Sequence, residues 1–283
     1  MDSEREILQI DLKKVVAERA PKADRFIPGF VIGWVEKLIC QERMNGLLRA
    51  NYHLDGVDFS HGILDYLNIR CRVEGLENLP TGAEGDSWRV IFASNHPLGG
   101  LDGMALIDLI GSRAPGKRMR FIVNDLLMNI PPLQSVFLPV NTISGKQSRE
   151  GAQALDRTFA GDEPVAIFPA GLCSRLVKGK IQDLEWNKMF VNKAIQYRRD
   201  IIPIHFDGQN SGFFYKFAKL RKMLRIPINL EMSLLPREVF RNENAEFVIT
   251  VGRRISWETL AGGSQAKATA AGLRDKIYSL PKA

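Results

Sequence analysis

The chain predicts an α/β fold, a mixed central sheet flanked by helices, with an N-terminal helical appendage. Three observations carry this. Short runs of strand-forming apolar residues recur from about residue 69 onward, helical patterns separate them, and the residues before them read as helix alone. No internal repeat, low-complexity tract or flexible linker breaks the later part. The expected organisation is therefore an N-terminal helical segment over 1–65 and an α/β domain over 66–283.

The first strong signal runs from Phe26 through Phe30 and Trp34 to Cys40, a dense apolar face with aromatics preceded by Lys13, Lys14, Arg19, Lys22 and Arg25. It is too short and interrupted to span a bilayer. It suits a helix lying in a membrane interface, with aromatics at the headgroup boundary and cations against anionic lipid. A helix packed on the protein's own core has the same pattern, and the sequence leaves both open. Strands are then expected at 69–73, 89–94, 119–123, 136–140, 165–169, 201–206, 229–234 and 247–251, each a short apolar run bounded by polar or turn residues. Helices are expected at 103–111, 149–160, 187–198, 213–224 and 264–279, where the apolar spacing changes to helical periodicity.

An apolar share of 45% with 25% charged residues is ordinary for a globular protein with a sizeable core and excludes a disordered chain. Lys+Arg 39 against Asp+Glu 32 gives a net charge of +7, which favours anionic partners: lipid headgroups, acidic carrier proteins or nucleic acid. The basic residues are spread rather than blocked, so a generic basic surface accounts for the charge equally well. Cys40, Cys71 and Cys173 have no metal-like spacing and are odd in number, which argues against a disulfide framework or zinc cluster and fits a reducing cytosol. The start, Met1-Asp2-Ser3-Glu4-Arg5-Glu6, is acidic and unlike a signal peptide, and no segment reaches the ~20 apolar residues of a membrane span.

Chemistry concentrates in Asn95-His96-Pro97-Leu98-Gly99-Gly100-Leu101-Asp102-Gly103, between the apolar run Val90-Ile91-Phe92-Ala93 and the helical pattern Met104, Leu106, Ile107, Leu109, Ile110. A polar loop on a strand-to-helix turn is where α/β proteins place their sites. Histidine is the one side-chain type whose unperturbed pKa lies close to neutrality, and an ionised Asp102 in a first helical turn is stabilised by the helix dipole. The pair suits a general base and the carboxylate that fixes its tautomer and aim. Further polar residues follow buried strands: Asn124-Asp125, Asn141, Asp207-Gly208-Gln209-Asn210-Ser211, and the turn Phe168-Pro169-Ala170-Gly171-Leu172-Cys173-Ser174-Arg175. In the last, a glycine lets backbone N–H groups approach a ligand, and Arg175 offers a fork for a carboxylate or phosphate. His53, His61 and His205 have no carboxylate at a matching spacing and read as structural or surface residues. Cys173, unpaired with any base, reads as a buried thiol.

Asn95-His96 with Asp102, the Phe168-Pro169-x-Gly171 element and the Ile202-Pro203-Ile204 strand, in this order, resemble the motifs of the glycerolipid acyltransferase superfamily, to which lysophosphatidate acyltransferases belong. The likeness covers roughly residues 70 to 255. Two departures stand out. Five residues rather than four separate His96 from Asp102, and Ala170 and Cys173 replace the glutamate and arginine of the usual Phe-Pro-Glu-Gly-Thr-Arg-Ser. Both departures resemble the hemolysin-like branch, which includes the O-acyltransferases of ornithine and glycine lipids and has the pattern Asn-His-Pro-x-Gly-x-x-Asp-Gly. Gly99 and Gly100 are expected to take positive φ to absorb the extra residue.

The resemblance implies transfer of a fatty acyl group from an acyl carrier protein or coenzyme A thioester to the hydroxyl of a lyso-lipid at a membrane surface. It implies no cofactor, no metal and no nucleic acid. His96 and Asp102 would be catalytic, with Asn95, Gly171, Ser174 and Arg175 binding the oxyanion or substrate. Backbone N–H groups near Gly171 are the expected oxyanion donors, and Arg175 would pair with an acceptor carboxylate. The acceptor is expected to be a lyso-aminolipid such as N-acylated glycine or ornithine. Lysophosphatidate is the alternative within the enzyme class, and a non-catalytic membrane-active lipid-binding protein the alternative outside it. Peripheral attachment to the cytoplasmic face completes the expectation.

Overall fold

The computed structural model describes residue 10 and residues 29–140, 148–225 and 229–281. Among these residues, seven strands form a sheet in the order β1-β9-β8-β2-β5-β3-β4, and a separate hairpin pairs β6 with β7. Helices α1 (Gly29–Leu38), α2 (Gln41–Asn51) and α3 (Gly56–Tyr66) precede β1 (Arg70–Glu74) and β2 (Ile91–Ser94). Then come α4 (Leu101–Gly111), β3 (Arg120–Asn124), β4 (Phe137–Val140), α5 (Arg149–Ala160), β5 (Val165–Ile167), β6 (Arg175–Val177) and β7 (Lys180–Gln182). The chain continues through α6 (Met189–Tyr197), β8 (Ile201–Asp207), α7 (Gly212–Met223), α8 (Leu235–Arg241), β9 (Glu246–Val251) and α9 (Ala266–Tyr278).

The sheet is mixed, as expected. Strands β8, β2, β5, β3 and β4 pair in parallel, while β9 runs antiparallel to β8 and carries β1 parallel to itself. The central strands are buried on both faces, which is why they read as unbroken apolar runs rather than alternating ones. Their side chains still divide by face. Phe92 joins Phe121, Ile202 and Ile204 in a core under α3 and α4, whereas Ile91 and Ala93 join Ile122, Val165 and Ile201 in a core under α5, α6 and α9.

Local signals explain the helix starts. Ser148 Oγ accepts the Gly151 N–H ahead of α5, and Ser211 Oγ accepts the Phe214 N–H ahead of α7. Arg199, fully buried, sends Nε to the Phe159 carbonyl at 2.7 Å and Nη1 to that of Glu163 at 2.8 Å, and it also donates to the Thr158 and Gly161 carbonyls. It thereby caps the carboxyl end of α5 with a positive charge.

One expectation gives way, and one element has no counterpart in the sequence pattern. Residues 229–234 are not a strand: Leu230–Leu234 is a 3₁₀ turn feeding α8, whose first turn contains Pro236. Glu231 is drawn fully inside there by two arginines, which fixes a turn where the apolar spacing resembled a strand. The hairpin β6–β7 went unread because three-residue strands show no periodicity. Its cue is Lys178-Gly179, both at positive φ as a two-residue hairpin loop requires.

The interface helix expected around 26–40 is described only from Gly29. There α1 buries Ile32, rests Leu38 on a small core with Phe214, and leaves Trp34 63% exposed. Lys13, Lys14, Arg19, Lys22, Arg25 and Phe26 lie outside the described residues, as do the side chain of Phe30 and residue Asn141. Among the described residues no helix is long and apolar enough to cross a membrane.

Candidate active site

The middle strand of the seven, β2, ends at Ser94, and the chain then turns through residues 95–100 into α4. From β2 the chain visits β3 and β4, returns to β5 beside β2, and crosses to β8 on the other side. The carboxyl ends of β2 and β5 therefore lie together at a topological switch point, where open α/β sheets keep their ligand crevices.

At that edge His96 Nδ1 lies 2.9 Å from Asp102 Oδ2. Asp102 is fully buried and accepts four backbone N–H groups besides. Oδ2 takes Leu98 at 2.9 Å and Gly99 at 3.3 Å, and Oδ1 takes Gly100 and Gly103 at 3.0 Å each. Burial alone would push this carboxyl up. The His96 charge and hydrogen bond, with the loop amides, outweigh it and hold the pKa below its ordinary 3.8. An ionised Asp102 requires the His96 proton on Nδ1, which leaves Nε2 as the basic nitrogen. The imidazole stacks on Phe168 with ring centroids 3.9 Å apart and planes 15° from parallel, so the ring is fixed by a hydrogen bond at one edge and a face contact. Its side chain remains 14% exposed.

The extra residue between His96 and Asp102 is absorbed by Gly99 alone, at φ +81°. Gly100, at φ −169°, is extended. A Cβ on Gly99 would also press Leu235 at 3.0 Å and Cys173 at 3.2 Å, so the glycine serves both conformation and close approach.

The remaining sequence candidates are mostly struts. Asn95 is 2% exposed and commits its amide to β8, donating to the Phe206 carbonyl at 2.9 Å and accepting the Phe206 N–H at 2.7 Å. Ser174, also buried, donates its hydroxyl to Asp183 at 2.6 Å, and its N–H meets the His96 carbonyl at 2.7 Å. The Gly171 N–H closes a turn onto the Phe168 carbonyl at 3.0 Å, so it is not an open oxyanion donor. Arg175 is not an open fork. Its Nη2 lies 3.1 Å from Glu231 Oε1, and Nη1 donates to the Cys173 carbonyl at 2.7 Å. Arg221 holds the same glutamate at 2.7 Å, and the cluster keeps one net positive charge. Burial pushes the Cys173 thiol up, so it stays protonated.

Two residues to which the sequence assigns no role hold the loop that carries His96, although Asn210 falls in one of the polar loops noted above. Asp183 accepts the His96 N–H at 3.2 Å and the Trp186 indole at 2.9 Å, tying the loop to the segment after β7. Asn210 donates to the carbonyls of Pro97 and Leu98 at 3.3 Å each. Glu231, which the sequence does not single out either, holds Arg175 and Arg221 rather than the loop. None has a local signature, because each acts across a long sequence separation. His61 is a surface residue, as read: exposed on α3, it pairs with Asp65 at 3.3 Å and with Asp108 of α4 at 3.1 Å.

The chain is 38% identical over 274 residues to a lyso-glycine lipid O-acyltransferase of Phocaeicola vulgatus, covering 97% of this chain and 96% of that one. It is 40% identical over 271 residues to the protein of the same name in Bacteroides thetaiotaomicron, covering 96% and 97%. Among solved structures, the 1-acyl-sn-glycerophosphate acyltransferase of Thermotoga maritima aligns over 90% of this chain and 91% of its own, at 15% identity and a TM-score of 0.45. The sequence model described as Acyltransferase matches residues 14–283, and a match over nearly the whole length, together with the two full-length relatives, means that the chain belongs to the acyltransferase family.

Proposed function

We propose that the protein transfers a fatty acyl group from an acyl thioester to the hydroxyl of a lyso-aminolipid, with lyso-glycine lipid as the acceptor. The observation that carries the chemistry is the 2.9 Å contact between His96 and an Asp102 carboxylate saturated with N–H donors. The acceptor class rests on the names of two relatives that align end to end.

In the step that follows, the acceptor hydroxyl attacks the thioester carbonyl while His96 Nε2 takes its proton, and Asp102 stabilises the imidazolium through Nδ1–H. The tetrahedral intermediate collapses, the C–S bond breaks, and the departing thiolate receives the proton from Nε2. Both substrates bind together, so no acyl-enzyme is needed. Arg175 enters this reading through field rather than contact: the surplus charge of Arg175, Arg221 and Glu231 favours an anionic acceptor without a direct ion pair. The donor is carried by acyl carrier protein or coenzyme A, and the enzyme works peripherally on the cytoplasmic face, with Trp34 of α1 reaching the lipid.

The test offers purified enzyme lyso-glycine lipid and lysophosphatidate with the same acyl thioester. Faster conversion of lyso-glycine lipid is expected. Faster conversion of lysophosphatidate overturns the acceptor, and absence of transfer to either overturns the reaction.

A further inference from the structure

Helix α7 has two apolar faces, one buried and one mostly exposed, the latter reaching the interior only through the half-buried Phe217. Phe214, Tyr215 and Ala218 point into the protein. At 3.6 residues per turn, Phe213, Phe217, Leu220 and Leu224 fall on the opposite side, at spacings of four, three and four. Phe213 is 49%, Leu220 47% and Leu224 60% exposed, and Met223 beside them is 70% exposed. The Phe213 and Phe217 rings stack on each other with centroids 6.0 Å apart, and the Arg237 guanidinium lies 5.2 Å from the Phe213 centroid. Lys216, Lys219 and Lys222 are exposed along one flank, Arg225 follows, and the helix carries no acidic residue.

We propose that this outer face of α7 is the surface that docks on an anionic lipid bilayer. A central apolar stripe with lysines at its edge matches a helix seated at the headgroup boundary, its side chains among acyl chains and its cations among phosphates. An acidic carrier protein would call for the cations at the centre, where four apolar side chains stand instead. The position also fits the reaction, and the proposal rests on the acceptor being a lipid. On the inner face of α7 the Tyr215 hydroxyl accepts the Asn210 N–H at 3.0 Å, and Asn210 holds the carbonyls of Pro97 and Leu98 next to His96. One helix, about 10 Å across, therefore separates the lipid-facing stripe from the loop that carries the base. Leu38 of α1 packs on the same small core as Phe217, so α1 lies beside this surface.

The test is co-sedimentation of the full chain with phosphatidylcholine vesicles, with and without phosphatidylglycerol. It compares wild type, a Phe213→Ser/Leu220→Ser/Leu224→Ser variant, a Lys216→Glu/Lys219→Glu/Lys222→Glu variant and Trp34→Ser. Circular dichroism and acyl transfer to detergent-dispersed acceptor report whether each variant is folded. Wild type should bind the phosphatidylglycerol vesicles, and both triple variants should bind at least about tenfold more weakly at unchanged rates on dispersed acceptor. Wild-type binding by the serine variant, or loss in Trp34→Ser alone, overturns the proposal. So does a wild type that ignores vesicles and runs as a dimer that the serine variant dissolves, which would assign the face to a second copy. If the glutamate variant keeps vesicle binding and only raises the KM for acyl carrier protein, the face belongs to the donor. Should wild type bind as expected yet acylate no dispersed acceptor, the docking surface stands and the catalytic reading falls.

Discussion

Asp102→Asn makes the sharpest test of the His96–Asp102 pair, because the number of donors around the carboxylate decides how asparagine must sit. Oδ2 receives His96, Leu98 and Gly99, and Oδ1 receives Gly100 and Gly103. Asparagine offers one oxygen and one NH₂, so one side must face N–H donors with N–H. With its oxygen toward His96 it orphans Gly100 and Gly103, both at 3.0 Å. With its NH₂ toward His96 it orphans Leu98 at 2.9 Å and the longer Gly99 contact at 3.3 Å, and it keeps a hydrogen bond by donating to Nδ1. The second arrangement loses less. It also forces the imidazole proton onto Nε2, where a base is needed, and the wrong tautomer in a His–Asp pair costs on the order of 10⁴ in kcat. Two orphaned buried donors at about 1–3 kcal/mol each lower stability by about 2–6 kcal/mol. The assay is release of thiol from the acyl thioester with detergent-dispersed lyso-glycine lipid, beside a denaturant melt. A folded Asp102→Asn enzyme within about tenfold of the wild-type kcat refutes the reasoning.

The remaining predictions concern the same loop. His96→Ala should lower kcat by about 10²–10⁴-fold and leave a folded protein, judged by circular dichroism; near-normal turnover removes His96 from the chemistry. The Asp102 carboxyl has its pKa below the ordinary 3.8, so the stability it contributes is complete above about pH 4 and is lost as pH falls through its folded value. The wild-type advantage over Asp102→Asn in denaturant melts should therefore shrink below pH 4, and an advantage that is flat with pH contradicts the assignment. Gly99→Ala should destabilise by about 1–2 kcal/mol from its positive φ alone, with contacts to Leu235 and Cys173 adding to it. An unchanged melting temperature in Gly99→Ala would show that Gly99 does not carry the turn.

The sequence by itself determined the α/β class, most strand and helix positions, and the pairing of His96 with Asp102. Each is written locally: buried parallel strands must be continuous apolar runs, and a base and its carboxylate on one strand-to-helix turn are six positions apart whatever the rest of the chain does. Only the tertiary structure decided what Asn95, Gly171, Ser174 and Arg175 do. Their types suggested ligand binding, but β8, Phe168, Asp183 and Glu231 reach them first. Those partners stand between 3 and 111 residues away; the β6–β7 hairpin sets Asp183 opposite Ser174, while Phe206 and Glu231 are brought close only when β8 flanks β2 and the turn before α8 folds over the site. A polar side chain buried at such a crossing must find a partner inside the protein, and no local pattern records which one it will be.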